Sequence, residues 1–340
     1  MVDTSTDRLP DIPLIDAGRG GAVATIEAAQ DRFADLIECG RQHYGAAFLR
    51  VGDAVSRCWL ARNANPYRDD IAKAAARSAT PGLTMLNLSY EWSCTSGVGA
   101  VPESGGMRLL RTLDWPLDGL GRNLLVARRS GTAGTYLDIT WPGFAGVVTA
   151  LAPGRFAAAI NQPPLPRYSP SHHLDWLLSR PAVWRSRALP PTHLLRQAFE
   201  TCRDYAEAKA LLTVTPLSMP VFFTLAGSRP GEGCVIERHT ATARVHEAPA
   251  AIANHWLDPA DGGWPRGIDS IGRFAAMENR RDAADDGFDW LDPPILNETT
   301  RAAVVVDPAR GLLMVRGYEA GRPATADFHL REHAVCLAHS

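Results

Sequence analysis

The sequence predicts an α+β fold in which two layers of sheet are combined with two layers of helix. Three observations predict it. Apolar residues recur at helical spacing across residues 22 to 62. From 84 to 160 the texture changes to short apolar runs separated by glycine-rich turns. The same alternation then repeats, helical over 172 to 212 and strand-like beyond it.

In chain order, "VATIEAAQDRFADLIECGRQH" places Ile26, Phe33, Leu36 and Ile37 on roughly one helical face. A second helical run covers about 45 to 62 and a shorter one about 67 to 78, and "TPGL" at 80 to 83 breaks the pattern. The strand block ends in the Pro-rich "NQPPLPRYSPS" at 161 to 171, which reads as a long loop. "PTHLLRQAFETC" carries a helix-start signal and "DYAEAKALL" follows it. "PVFFTLAG", "GCVIERH", "ATARVHEA" and "AIANHW" read as strands, and a helix is expected over 268 to 283 with Ser270 as its cap. "TRAAVVVD", "GLLMVRGY" and "TADFHLRE", joined by turns at "PARG" and "EAGRP", read as a closing antiparallel set. There is no internal repeat.

The 340 residues are 46% hydrophobic and 21% charged, an ordinary globular composition. A net charge of -2 supplies no electrostatic footprint for nucleic acid. No apolar run reaches the length of a membrane span, and the N-terminus lacks the basic-then-apolar pattern of a signal peptide. The six cysteines (Cys39, Cys58, Cys94, Cys202, Cys234 and Cys336) form no C-x-x-C pair, so a cytoplasmic, reducing location is expected. His172 and His173 have no third ligand at metal-like spacing, and no cofactor or metal is expected.

The chemistry concentrates at "NLSYEWSCTSGVGAV", where Cys94 heads a strand. The turn near 103 to 106 predicts a hairpin in which opposed residue numbers sum to about 209, with Cys94 near Trp115 and Val98 near Arg111. Arg111 and Asp114 are thereby returned to the cysteine's end of the sheet. A fixed guanidinium lowers a thiol pKa, and a carboxylate can hold an amine. No histidine lies in the hairpin, so the missing base would be an α-amine exposed by cleavage after Ser93; such a group titrates near pH ~8. Read without that chemistry, Cys94 is a half-buried thiol, and Arg111 with Asp114 is an ion pair at a strand end. Trp92, Trp115, Trp141 and Phe144 read equally as core or as the lining of an acyl pocket.

These residues resemble the N-terminal-nucleophile amidases, in the branch of acid ceramidase and the N-acylethanolamine-hydrolysing acid amidase, with bile salt hydrolases more distant. Asn87, Tyr90 and Glu91 precede Cys94, Thr95 and Ser96 as in that branch, and Arg111 and Asp114 match its Arg-x-x-Asp. Gly143, Phe144, Ala145 and Gly146 lead to Asn161, "AIANHW" supplies Asn254, and "SIGRF" supplies Arg273. The matches run in order over more than half of the chain. One departure is that the arginine lies in "LLRTLDW", without the Gly and Asn usual beside it.

The resemblance implies a four-layer αββα sandwich with a helical N-terminal segment. It also implies autocleavage into an α fragment of 1 to 93 and a catalytic β fragment of 94 to 340. Cys94 would be the nucleophile, Arg111 and Asp114 its support, Asn254 and Asn161 oxyanion donors, and Arg273 a further site residue, with Trp115, Trp141 and Phe144 on the substrate. The expected activity is hydrolysis of a linear amide C–N bond in an N-acyl substrate. Alternatives are acyl transfer to an amine, as in penicillin acyltransferases, and a non-catalytic acyl-ligand-binding protein. The expected partner is a small N-acyl amide, with neither nucleic acid nor a membrane span involved; a homo-oligomer is compatible with the sequence.

Overall fold

A computed structural model describes residues 8–78, 81–282 and 287–332. The chain enters through a strand, β1 (Leu14–Gly18), that sequence patterning did not indicate. It pairs in parallel with a later strand, so the N-terminal segment contributes to a sheet as well as to the helical layer. Helices α1 (Gly21–Ala28), α2 (Gln30–Tyr44), α3 (Ala46–Arg62), α4 (Arg68–Ala76) and the single turn α5 (Leu83–Leu86) follow. In α2 the buried residues Phe33, Leu36 and Gly40 recur at three and four, which is the apolar stripe read from sequence.

The central hairpin is β2 (Ser93–Ala100) and β3 (Met107–Asp114); β4 (Leu125–Gly131), β5 (Gly134–Thr140), β6 (Thr149–Ala152) and β7 (Phe156–Asn161) complete the first strand block. Helices α6 (His172–Arg185), α7 (Pro191–Thr201) and α8 (Tyr205–Val214) lead to β8 (Val221–Gly227), β9 (Gly233–Arg238), β10 (Ala243–Glu247) and β11 (Ala250–Ile252). Helix α9 (Ser270–Arg280) precedes β12 (Thr300–Asp307), β13 (Leu312–Glu319), β14 (Arg322–Pro323) and β15 (Phe328–Arg331). The cap of α9 is Asp269, whose side chain accepts from the Gly272 N–H; Ser270 is the first helical residue. Asp269 takes that role because its left-handed backbone (φ 41°) turns its carboxylate onto the first turn.

One sheet has the order β1-β4-β5-β6-β7-β8-β9-β10, and the other β11-β2-β3-β12-β13-β14, with β15 also on β13. Strands β2 and β3 lie over β7 and β8, while α7 and α8 cover the outer face of the first sheet and α9 covers the second. This is the four-layer αββα sandwich. β8, β9 and β12 are buried along their whole length, with apolar centres and charged residues only near the ends of β9 and β12, whereas the edge strand β10 is largely exposed. A single cluster joins Cys94, Val98, Leu113 and Val304 to Ala157 and Ala159. A second joins Leu110, Val305 and Trp290 to Met277 of α9.

Small residues on β2 let α9 approach closely. A Cβ added at Gly97 would lie 2.7 Å from the Met277 sulfur, and one at Gly99 would lie 2.6 Å from the Arg281 carbonyl. This is why the strand after Cys94 reads "SGVGA". Among the described residues, no helix is long and apolar enough to cross a membrane. Cys336 lies outside the described residues, as do the side chains of His172 and His173.

Candidate active site

The β2–β3 register pairs Cys94 with Leu113, Ser96 with Arg111, and Ser93 with Asp114. Opposed numbers sum to 207, two fewer than the turn suggested. The tighter pairing arises because the strands continue up to Ala100 and Met107, and the Val101 N–H bonds to the Gly106 carbonyl across the turn. A shift of two keeps every residue on its expected face. Arg111 therefore still shares a face with Cys94, while Asp114 and Thr95 project to the other side, toward α9.

The Cys94 side chain is fully buried at the head of β2. Arg111 Nη2 lies 3.2 Å from the sulfur and 3.2 Å from the Ile160 carbonyl oxygen. The backbone of Cys94 is gripped from both ends: its N–H donates to Asn254 Oδ1 at 2.9 Å, and its carbonyl accepts from Arg273 Nη1 at 2.8 Å. Arg273 also donates to Thr95 Oγ1, Asn254 Oδ1 and the carbonyls of Ile268 and Arg266. Its Nη1 stands 3.5 Å from Asp114 Oδ2, and both side chains are fully buried. Asp114 is held further by Thr300 Oγ1 at 2.9 Å and Asn297 Nδ2 at 3.2 Å.

Burial dominates the ionisation of both groups. It pushes the Cys94 thiol up from its ordinary value, against the pull of Arg111. In this state the thiol is not the low-pKa nucleophile that a neighbouring guanidinium alone would produce. The Asp114 carboxyl is likewise raised by burial, opposed by Arg273 and by the Asn297 and Thr300 hydrogen bonds.

Asn161 and Asn254 sit against the same strand. Asn161, the last residue of β7, accepts from Ser96 Oγ at 2.7 Å and donates to the Ile252 and Ala253 carbonyls. Asn254 Nδ2 donates to the Gln162 carbonyl at 2.8 Å, and its backbone N–H is received by Ser270 Oγ. Cys94, Arg111, Asn254, Arg273 and Asp114 are thus linked in one polar network, and Asn161 lies beside it, bonded to Ser96 of the same strand. Sequence reading missed Thr95 as an Arg273 partner, Ser270 as the seat of Asn254, and Asn297 and Thr300 as the holders of Asp114. "LNETT" carried only a local turn signal, now visible as Asn297 Oδ1 accepting from the Thr299 N–H.

Trp115, Trp141 and Phe144 pack with Trp92 in one aromatic cluster, with ring centroids 4.4 to 6.3 Å apart. The cavity beside them holds about 30 Å³, about one water molecule. A far roomier apolar cavity of about 250 Å³ opens between α3 and α6, where Val51, Val55, Trp176 and Val183 meet Tyr90 and Glu91. Glu91 is fixed there by the Tyr44 hydroxyl at 2.9 Å.

Two facing sheets between helical layers, with a cysteine at the head of an inner strand, are the architecture seen in N-terminal-nucleophile hydrolases, and the chain shares that fold. A Caenorhabditis elegans N-acylethanolamine-hydrolyzing acid amidase ortholog shares the fold, with a TM-score of 0.50 at 20% identity over 63% of this chain and 93% of that one. By sequence the chain is similar to acid ceramidases. It is 31% identical to the acid ceramidase of Heterocephalus glaber over 231 residues, 60% of this chain and 53% of that protein. It is 27% identical to a probable acid ceramidase of Caenorhabditis elegans over 218 residues, 57% of this chain and 52% of that protein. The chain spans about half the length of these two curated relatives. No family model matches it.

Proposed function

We propose that the chain is an N-terminal-nucleophile cysteine amidase that cuts itself between Ser93 and Cys94 and then hydrolyses a linear amide C–N bond in an N-acyl substrate. One observation carries the reading: the Cys94 N–H rests on Asn254 Oδ1 while its thiol touches Arg111. Cutting the preceding peptide bond would turn that N–H into an α-amine already seated on an acceptor, beside the network that holds Asp114.

In the self-cleavage step the Cys94 sulfur adds to the Ser93 carbonyl carbon. The C–N bond to Cys94 breaks, the nitrogen takes the thiol proton, and a Ser93 thioester remains on sulfur. Water hydrolyses the thioester, leaving a Ser93 carboxylate and a free Cys94 amine. The same chemistry then serves substrate, with the amine as general base and acid, near pH ~8 in its unperturbed titration. An oxyanion donor contributes about 3–4 kcal/mol to such a barrier. Asn254 Nδ2 has a second proton beyond the one given to the Gln162 carbonyl, whereas Asn161 Nδ2 would have to give up its bond to the Ile252 or the Ala253 carbonyl.

The apolar walls between α3 and α6 suit an acyl chain, in line with the names of the acid ceramidase and N-acylethanolamine amidase relatives. Intact-mass analysis tests the first step: a second polypeptide beginning at Cys94 is expected, and none in Cys94→Ala. A series of N-acyl amides with one amine and acyl chains from acetyl to palmitoyl tests the second. Specificity should rise by about 0.8 kcal/mol per methylene and then level off. Full activity from one uncut chain would sink the mechanism, and equal rates for acetyl and palmitoyl amides would sink the acyl site.

A further inference from the structure

Helices α3 and α6 end side by side, and a surface cavity of about 440 Å³ lies where they do. Arg62, Arg185 and Arg187 line it together with Trp59, Trp184 and Pro181. The whole chain carries a net charge of -2, yet no carboxylate contributes to this wall. Among the described residues none of the three guanidiniums has a hydrogen-bond or ion-pair partner. Other arginines of the chain are neutralised, Arg301 by Asp118 and Glu319, Arg316 by Asp327 and Arg203 by Glu207; what sets this site apart is that three guanidiniums line one concavity together.

The frame around the cavity is tied down. Trp59 Nε1 donates to the Val183 carbonyl at 3.2 Å, and Asn63 Nδ2 donates to the Ala188 carbonyl at 3.2 Å. These bonds lock the end of α3 to the end of α6. Arg62 and Arg185 stand in the last turns of their helices, where the helix dipole favours a cation. The dipole accounts for those two, but not for Arg187, nor for the absence of any acid from the lining. Three like charges in one concavity repel one another, and an anion with several oxygens relieves that repulsion. The planar guanidinium fork matches phosphate oxygens in pairs, and two indole walls exclude part of the competing water.

We propose that this cavity is a binding site for a phosphate group, as a monoester or a diester. It is separate from the Cys94 network and does not rest on the amidase reading. The group could be carried by a soluble phosphorylated compound or by a phospholipid headgroup, since the apolar cavity between α3 and α6 shares Trp59 and Trp184 with it.

The test is direct binding at low salt. Calorimetry uses inorganic phosphate and glycerol 3-phosphate; cosedimentation uses phosphatidylcholine vesicles with and without phosphatidylglycerol. The variant is Arg62→Gln/Arg185→Gln/Arg187→Gln. The control, Arg50→Gln/Arg229→Gln/Arg322→Gln, removes equal charge at exposed positions elsewhere. Binding of a soluble phosphate that weakens on the order of a hundredfold in the variant but not in the control supports a soluble ligand. The same pattern confined to phosphatidylglycerol vesicles supports a headgroup. No binding by the native chain, equal loss in variant and control, or vesicle binding that is indifferent to the three arginines overturns the proposal.

Discussion

Replacing Arg273 with methionine keeps an unbranched apolar stem in place of the arginine's and removes its charge and donors. Arg273 is fully buried and serves five acceptors: the carbonyls of Cys94, Arg266 and Ile268, Thr95 Oγ1 and Asn254 Oδ1. It also faces Asp114 across 3.5 Å. At an effective dielectric near 20, that pair alone amounts to about 5 kcal/mol of gross attraction. Most of it offsets the desolvation of two ions, so the net loss is set by what remains: a buried Asp114 without its cation, costing about 3–5 kcal/mol. Asp114 would escape by protonation, since Thr300 and Asn297 cannot compensate a full charge. The assay is guanidinium unfolding followed by circular dichroism and by tryptophan fluorescence, in a Cys94→Ala background so that every protein is compared as one chain. Arg273→Met/Asp114→Asn should recover about 1–3 kcal/mol relative to the sum of the two single changes. A loss below about 1 kcal/mol for Arg273→Met, or strict additivity in the double variant, would refute the account of Arg273 as the counter-charge that lets Asp114 be buried.

Three further outcomes follow from the same structure. Burial lifts the Asp138 carboxyl from 3.8 to about 6 against the pull of Arg129, so the folded chain binds the proton more tightly than the unfolded one; its stabilising contribution is complete below the unfolded value and is lost as pH rises to about 6. The native chain should therefore lose roughly 3 kcal/mol relative to Asp138→Asn across that window, and a difference that is flat with pH would contradict it. In the uncut chain, iodoacetamide should label exposed Cys58 first and spare Cys94, whose thiol is buried and raised, with Cys94 becoming reactive only once its amine is free; peptide mapping that finds Cys94 labelled in uncut chains would contradict this. Gly97→Val should lower stability by about 1–3 kcal/mol by thermal unfolding, because the new side chain would meet Met277 and the Arg281 Cβ, 3.0 Å from the added carbon; an unchanged midpoint would mean that α9 does not lie as close to β2 as described.

Apart from β1, the order of elements was legible in the sequence where an element carries its own periodicity: the 3.6-residue stripe through Phe33 and Leu36, and the apolar Ala302 to Val306 at the centre of "TRAAVVVD". Cys94, Arg111 and Asp114 were legible because local pairing alone brings them to one end of a hairpin, whereas Asn161, Asn254 and Arg273 came only from the resemblance. The parallel pairing of β1 with β4 was not, since it joins segments more than a hundred residues apart and leaves no local pattern. Nor was the cap of α9, where Ser270 and Asp269 are equally good candidates by type and only the left-handed backbone at Asp269 selects between them.

What the sequence determined by itself was therefore the set of chemical groups and the face of the hairpin on which each lies, because alternation along a strand survives a two-residue error in register. The tertiary structure decided how those groups behave. Burial in a low-dielectric interior is a property of everything packed around a residue, and it overrides the influence of Arg111 on the Cys94 thiol. It also closes the space beside Trp115, Trp141 and Phe144 and opens a larger one between α3 and α6, because cavity volume depends on how distant elements meet and not on the composition of any one of them.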